Sequence, residues 1–191
     1  MRRNQIASMF AVAAVTGALL MGGCAAAATK TPPAGATAAT TTPTAAAVHL
    51  TDYTDNDGPT STVILAGAIG DYGKAESVNP NGTINAEHNS ELNLMLTQGS
   101  FRLNIGDLGK KFVSALSQFP PNAVTCSGTV TVTGPTPIVA GSGTGSYKGI
   151  SGNFNLTITL DEVYSKANCT ASGAFLAQAI VITGSGTVSF R

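Results

Sequence analysis

Between Glu91 and Ile105 apolar and polar side chains alternate with a period of two. In Glu91-Leu-Asn-Leu-Met-Leu-Thr97 the side chains of Leu92, Leu94 and Leu96 share one face; in Ser100-Phe-Arg-Leu-Asn-Ile105 those of Phe101, Leu103 and Ile105 do, and Gln98-Gly99 separates the two runs. Such alternation marks strands buried on one side, and two runs with a two-residue break predict an antiparallel hairpin. Residues 60–69, 126–133, 153–160, 178–183 and 187–190 continue the theme, rich in the Val, Ile, Thr and Phe that suit a pleated surface. One segment departs from it. From Asp107 to Phe119 the apolar residues Leu108, Phe112, Ala115, Leu116 and Phe119 recur at three and four, and Pro120-Pro121 stops the run. That spacing predicts one short amphipathic helix whose stripe plugs an end of the β structure. The fold class is therefore all-β with one short helix. Alternation alone does not show closure, so an antiparallel barrel and a two-sheet β-sandwich both remain open.

The densest glycine run, Gly141-Ser-Gly-Thr-Gly-Ser-Tyr-Lys-Gly-Ile-Ser-Gly152, poses a choice between a phosphate cradle and turns. A phosphate loop opens a helix, whose N-terminal N–H groups hold the anion. Here Asn153-Phe-Asn-Leu-Thr-Ile-Thr-Leu160 follows, with Phe154, Leu156, Ile158 and Leu160 on one face, and neither nucleotide-binding glycine spacing fits 141–152. The glycines read as turns and a kink in a sheet, with Tyr147 and Ile150 packed between them. The segment Gly143-Thr-Gly-Ser-Tyr-Lys-Gly-Ile-Ser-Gly152, followed by an alternating strand, resembles the corresponding segment of allene-oxide-cyclase-like and dirigent-like β-barrels and of secreted actinobacterial lipoproteins. Gly70-Asp-Tyr-Gly73 is similar to a turn in the same cyclases. The resemblance implies a closed eight-stranded antiparallel barrel, calycin-like or allene-oxide-cyclase-like, able to hold one small apolar ligand. It implies no cyclase reaction, since no catalytic residue of that family can be placed on this chain and fold does not carry function.

The first residues set the destination. Arg2 and Arg3 precede an apolar run from Ile6 to Met21, which ends in Met21-Gly-Gly-Cys24-Ala25: a charged head, an apolar middle and a small-residue exit, as in a secretory signal. Two small residues before a cysteine also resemble the lipobox of bacterial lipoproteins, which would make Cys24 the lipidated first residue and the membrane a partner through that anchor. Ordinary cleavage within 25–28 and an uncleaved anchor over 6–28 are the alternatives. The residues expected after a twin-arginine pair are missing. Residues 1–24 are thus read as the signal peptide, 25–47 as a tether and 48–191 as a single β domain. The tether is almost all Ala, Thr, Pro and Gly with Lys30 its one charge. It lacks the apolar surface to order itself and spans about 25–30 Å as a random coil.

Charge and cysteines narrow the function classes. Of ten Lys and Arg, two leave with the signal, so eight face ten Asp and Glu and the mature chain carries about −2, with no basic stripe for nucleic acid. With Cys24 assigned to lipid, Cys126 and Cys169 remain, and export places them where disulfides persist. No C-x-x-C occurs, and His49 and His88 form no ligand spacing with them, so the pair is read as a structural disulfide closing a loop of roughly 44 residues.

The remaining polar clusters carry no assignable chemistry. Asp52-Tyr-Thr-Asp-Asn-Asp-Gly58 is oxygen-rich but misses the EF-hand register, with Tyr53 and Ile64 at ligand positions, and reads as a turn. Glu87, His88 and Glu91 read as a solvated strand start, and Asp161-Glu162 as a strand end meeting water. No G-x-S-x-G nucleophile elbow occurs. The sequons at Asn81, Asn155 and Asn168 matter only in a eukaryotic host. No catalytic, cofactor-binding or metal residue is assigned. The functional expectation is an exported, lipid-anchored surface protein that binds a small apolar ligand inside the barrel. Two alternatives stand beside it: a small isomerase or cyclase using a cavity carboxylate, and a filled barrel acting as a structural or host-interaction surface protein.

Overall fold

The predicted periods translate into strands and one helix in a computed structural model that describes residues 44–55, 60–85, 90–117, 122–169 and 175–191. These belong to one unit spanning 41–191. In chain order they are β1 (Ala46–Thr54), β2 (Ser61–Gly67), β3 (Asp71–Val78), β4 (Glu91–Leu96), β5 (Gly99–Asn104), α1 (Gly106–Ser117), β6 (Ser127–Pro137), β7 (Ser151–Tyr164) and β8 (Phe175–Ser189). The strands form a single eight-stranded antiparallel sheet in the order β5-β4-β3-β2-β1-β8-β7-β6. Two meanders, β1 to β5 and β6 to β8, are joined by the pairing of β1 with β8, in which Leu50 lies opposite Gly184 and Asp52 opposite Ile182. One continuous sheet excludes the two-sheet sandwich.

The sheet curls until its outer strands meet at one end. Leu103 of β5 bridges Ile138 just after β6, and Val139 N–H donates to the Arg102 carbonyl at 2.8 Å. The segment from Ser142 to Tyr147 continues the seam: Thr144 N–H donates to the Ser100 carbonyl at 2.8 Å and Ser146 N–H to that of Gln98 at 2.9 Å. This is the closed end of the barrel. Towards the other end β5 and β6 are not paired, and α1 lies against β6. Leu108 of α1 is 1% exposed within the core, and a Cβ on Gly134 would stand 3.4 Å from its Cδ1. Asn104 Oδ1 accepts from Gly106 N–H at 3.1 Å and starts the helix. Phe112, Ala115 and Leu116 are half-buried along the same stripe, so the helix covers the unpaired flank beside β6.

The inward positions match the alternation. Leu92, Leu94, Phe101, Leu103, Phe154, Leu156 and Leu160 are all buried, with Leu50, Val63, Leu65 and Val188 completing the core. Each such side chain contributes about 1.5–3 kcal/mol by leaving water.

Three elements differ from the sequence reading. β3 begins at Asp71, inside the Gly70-Asp-Tyr-Gly73 stretch whose resemblance implies a turn. Its inward residues include Gly73 and Ala75, too small to display a hydrophobic period, while the turn is confined to Gly67–Gly70, where Gly67 and Gly70 have φ of 83° and 60°. β8 is one strand where two were expected. Gly184 and Gly186 stay extended opposite Leu156 and Phe154, and a Cβ at Gly184 would fall 2.1 Å from the Asn155 carbonyl oxygen, so glycine there admits a close neighbouring backbone. β1 begins at Ala46, inside the 25–47 stretch read as tether, because strand pairing with β8 uses only the backbone of Ala46 and Ala47.

Candidate functional site

Two polar clusters are buried, one at each end of the barrel. At the closed end Asp71, 4% exposed, is surrounded by four donors. The Thr97 hydroxyl donates to its Oδ1 at 2.5 Å and the Tyr72 N–H at 2.7 Å, while the Tyr147 hydroxyl at 2.5 Å and the Gln98 N–H at 3.1 Å donate to Oδ2. Burial alone would push the carboxyl up; the donors outweigh it and hold it at about 2. Burial, then the hydrogen bond and charge of Asp71, push the Tyr147 phenol in the opposite direction, upward. Tyr147 also packs edge-on against Phe101, with ring centroids 5.4 Å apart. The two segments that carry the family resemblance, 70–73 and 143–152, therefore meet at one carboxylate. With every donor matched and both rings enclosed, this cluster is a clasp that closes the barrel; it leaves no group free for chemistry.

The opposite end, open in the sense that β5 and β6 are not paired there among the described residues, differs. Along β1 the inward face reads Val48, Leu50, Asp52, all buried. Asp52 is 2% exposed, flanked in register by Val63 and Ile182, and its Oδ1 has no hydrogen-bond partner. Burial pushes its carboxyl up to about 6, an effect the Ser61 hydroxyl and the Tyr53 amide only partly offset. On β7 the inward face ends in Leu160, Glu162 and Tyr164. Glu162 accepts the Tyr164 hydroxyl on Oε2 and the Gln178 amide on Oε1 at 2.7 Å. Burial, then the hydrogen bond and charge of Glu162, raise the Tyr164 phenol to about 12. Gln178 Oε1 is buried without a partner. Between these groups Ile180, Ile182 and Val132 are only partly buried, unlike the fully enclosed leucines above them. An open cleft of about 360 Å³ crosses the adjoining ends of β6, β7 and β8, with Thr129, Asp161, Glu162 and Gln178 in its lining.

Several sequence expectations need correction here. Asp161-Glu162 does not end the strand in water: β7 continues to Tyr164, and Glu162 is buried at 8% exposure while Asp161 alone faces out, accepting from Thr129 at 2.6 Å. Asp52 to Thr54 belong to β1, not to a turn, and Asp52 points into the barrel. Glu91 is no solvated strand start but is 7% exposed and paired with Arg102 at 2.7 Å. His49 stands outside the barrel with Nδ1 3.2 Å from Ser185 Oγ. Cys126 and Cys169 form a disulfide with Cα atoms 5.3 Å apart, tying the start of β6 to the turn that follows β7. Cys24, residues 56–58, Glu87 and His88 lie outside the described residues. Among those described, no group of acidic, histidine or cysteine side chains is arranged to hold a metal, and no helix is long and apolar enough to cross a membrane.

No known protein family, curated protein or solved structure matches the chain. Asp52 was legible as inward-facing, since Val48-His-Leu-Thr-Asp52 already alternates; the oxygen-rich run after it suggested a turn instead.

Proposed function

We propose that this is an exported protein, tethered to the membrane by lipid on Cys24, whose barrel binds a small, largely apolar molecule at its open end. The observation that carries the reading is Asp52: a carboxylate 2% exposed, with an oxygen that no protein donor satisfies, set among half-open isoleucines. A buried acceptor without a partner costs about 1–3 kcal/mol, and a ligand that brings a donor removes that cost. Apolar walls with few polar contacts are the ordinary composition of a small-molecule site. The closed end is filled by Phe101, Phe154 and Tyr147, which among the described residues leaves the Asp52 side for the ligand.

A second reading, an isomerase or cyclase, draws on the same residue. A carboxyl raised to about 6 is poised near neutral pH, where a general base works best. The test is to express the chain with its own leader in a lipoprotein-processing bacterium, purify it, extract it with organic solvent and identify co-purifying molecules by mass spectrometry. The binding reading expects a stoichiometric small apolar compound, reduced in Asp52→Asn. A chain that purifies empty and takes up no member of an apolar library refutes it. The anchor is checked in the same material, where Cys24→Ser should move the protein from membrane to medium.

A further inference from the structure

The polar atoms left unmatched at the open end also define a head group. Gln178 donates its amide N–H to Glu162, a carboxylate that cannot donate back, which fixes the amide so that its oxygen is the free atom. Glu162 itself already accepts one bond on each oxygen, from Gln178 and Tyr164. What remains on the inward face of β1 and β8 is two buried acceptors, Asp52 Oδ1 and Gln178 Oε1. Neither is matched by a basic side chain. Every described lysine, His49 and Arg191 are exposed, and Arg102 is paired with Glu91. The wall between the two acceptors is Ile180 and Ile182. Two carboxylates and an amide oxygen, with no cation facing them among the described residues, repel an anion and attract a donor.

We propose that the open end selects amphiphiles by head group, seating an alcohol or amine donor against Asp52 and rejecting carboxylates. This rests on the small-apolar-ligand reading above and adds the chemical class of the ligand. The selectivity is of the kind that unpaired buried polar groups enforce: a ligand without the donor leaves Asp52 unsatisfied, and one with a negative head adds like charge beside Asp52.

The experiment uses the full mature chain, exported and purified as Cys24→Ser, titrated calorimetrically at neutral pH with dodecylamine, dodecanol and dodecanoate below their micellar concentrations. Dodecylamine is expected to bind most tightly, dodecanol within about tenfold of it, and dodecanoate weaker by more than about tenfold. Asp52→Asn should retain dodecanol and lose the preference for the amine, and a circular dichroism spectrum matching the unsubstituted chain verifies that it folds. The ranking on the unsubstituted chain tests the idea even if the variant does not fold. Dodecanoate binding as tightly as dodecylamine overturns the head-group proposal while leaving apolar binding intact. Absence of binding by all three overturns both.

Discussion

Replacing Asp52 by Asn should stabilise the protein at neutral pH, against the usual outcome for a core substitution. Asp52 is 2% exposed and its carboxyl is raised from 3.8 to about 6, chiefly by burial. Between those two values the folded chain holds a proton that the unfolded chain has released. Stability therefore falls as pH rises from about 4 to 6, and above 6 the penalty is complete. A rise of that size corresponds to about 3 kcal/mol. Asparagine keeps the shape and removes the charge, but its amide brings donors that the apolar surroundings do not satisfy, costing about 1 kcal/mol. The net gain at pH 7.5 is then about 2 kcal/mol, or a rise of about 5 °C in Tm for a domain of this size. The assay is urea unfolding of both proteins, disulfide intact, at half-unit steps from pH 4 to 8. The window avoids Asp71, which titrates near 2. The unsubstituted protein should lose stability between pH 4 and 6 while the variant stays level, so that the two curves cross. A difference that is constant across the range, or a variant less stable at pH 7.5, would refute the claim that Asp52 is a buried charge only partly compensated.

The clasp at the closed end gives the opposite sign. Tyr147→Phe removes one charge-assisted donor to Asp71 and should cost about 1.5–3 kcal/mol at pH 7. Because the remaining donors hold Asp71 less firmly, its carboxyl should also move upward from about 2, which carbonyl-detected NMR titration measures. Leu108→Ala empties the position where α1 meets Gly134 and should cost about 2–5 kcal/mol in urea melts. Replacing Cys126 and Cys169 together by Ser releases a loop with a sequence separation of 43 and should cost about 4 kcal/mol, read as a lower denaturation midpoint than that of the oxidised protein.

The head-group proposal and the Asp52 prediction pull in opposite directions on the same residue. The substitution that stabilises the empty fold should weaken binding of an amine head group. A binding site keeps a polar group unsatisfied at a cost to the fold so that the ligand can satisfy it.

Local side-chain pattern alone determined the strands of the β4–β5 hairpin, the core face of β7 and the stripe of α1. In these segments large apolar residues recur at the period of the element they build, and one face of each must leave water. It also marked the glycine segment 141–152 as turns and Tyr147 and Ile150 as packed, since the strand after it cannot support an anion-binding helix. The tertiary structure decided what has no local signature. β3 and the middle of β8 carry glycine and alanine where neighbouring backbones come close, so their strand character exists only through the strands beside them. Closure at Leu103 and Ile138 joins positions far apart in the chain. Whether a carboxylate in such a sequence becomes a matched clasp, like Asp71, or an unmatched acceptor, like Asp52, depends on which donors folding brings within hydrogen-bond reach. Proximity of that kind is a property of the assembled barrel, because a hydrogen bond forms between neighbours in space and the order of residues along a strand specifies only which way each side chain faces.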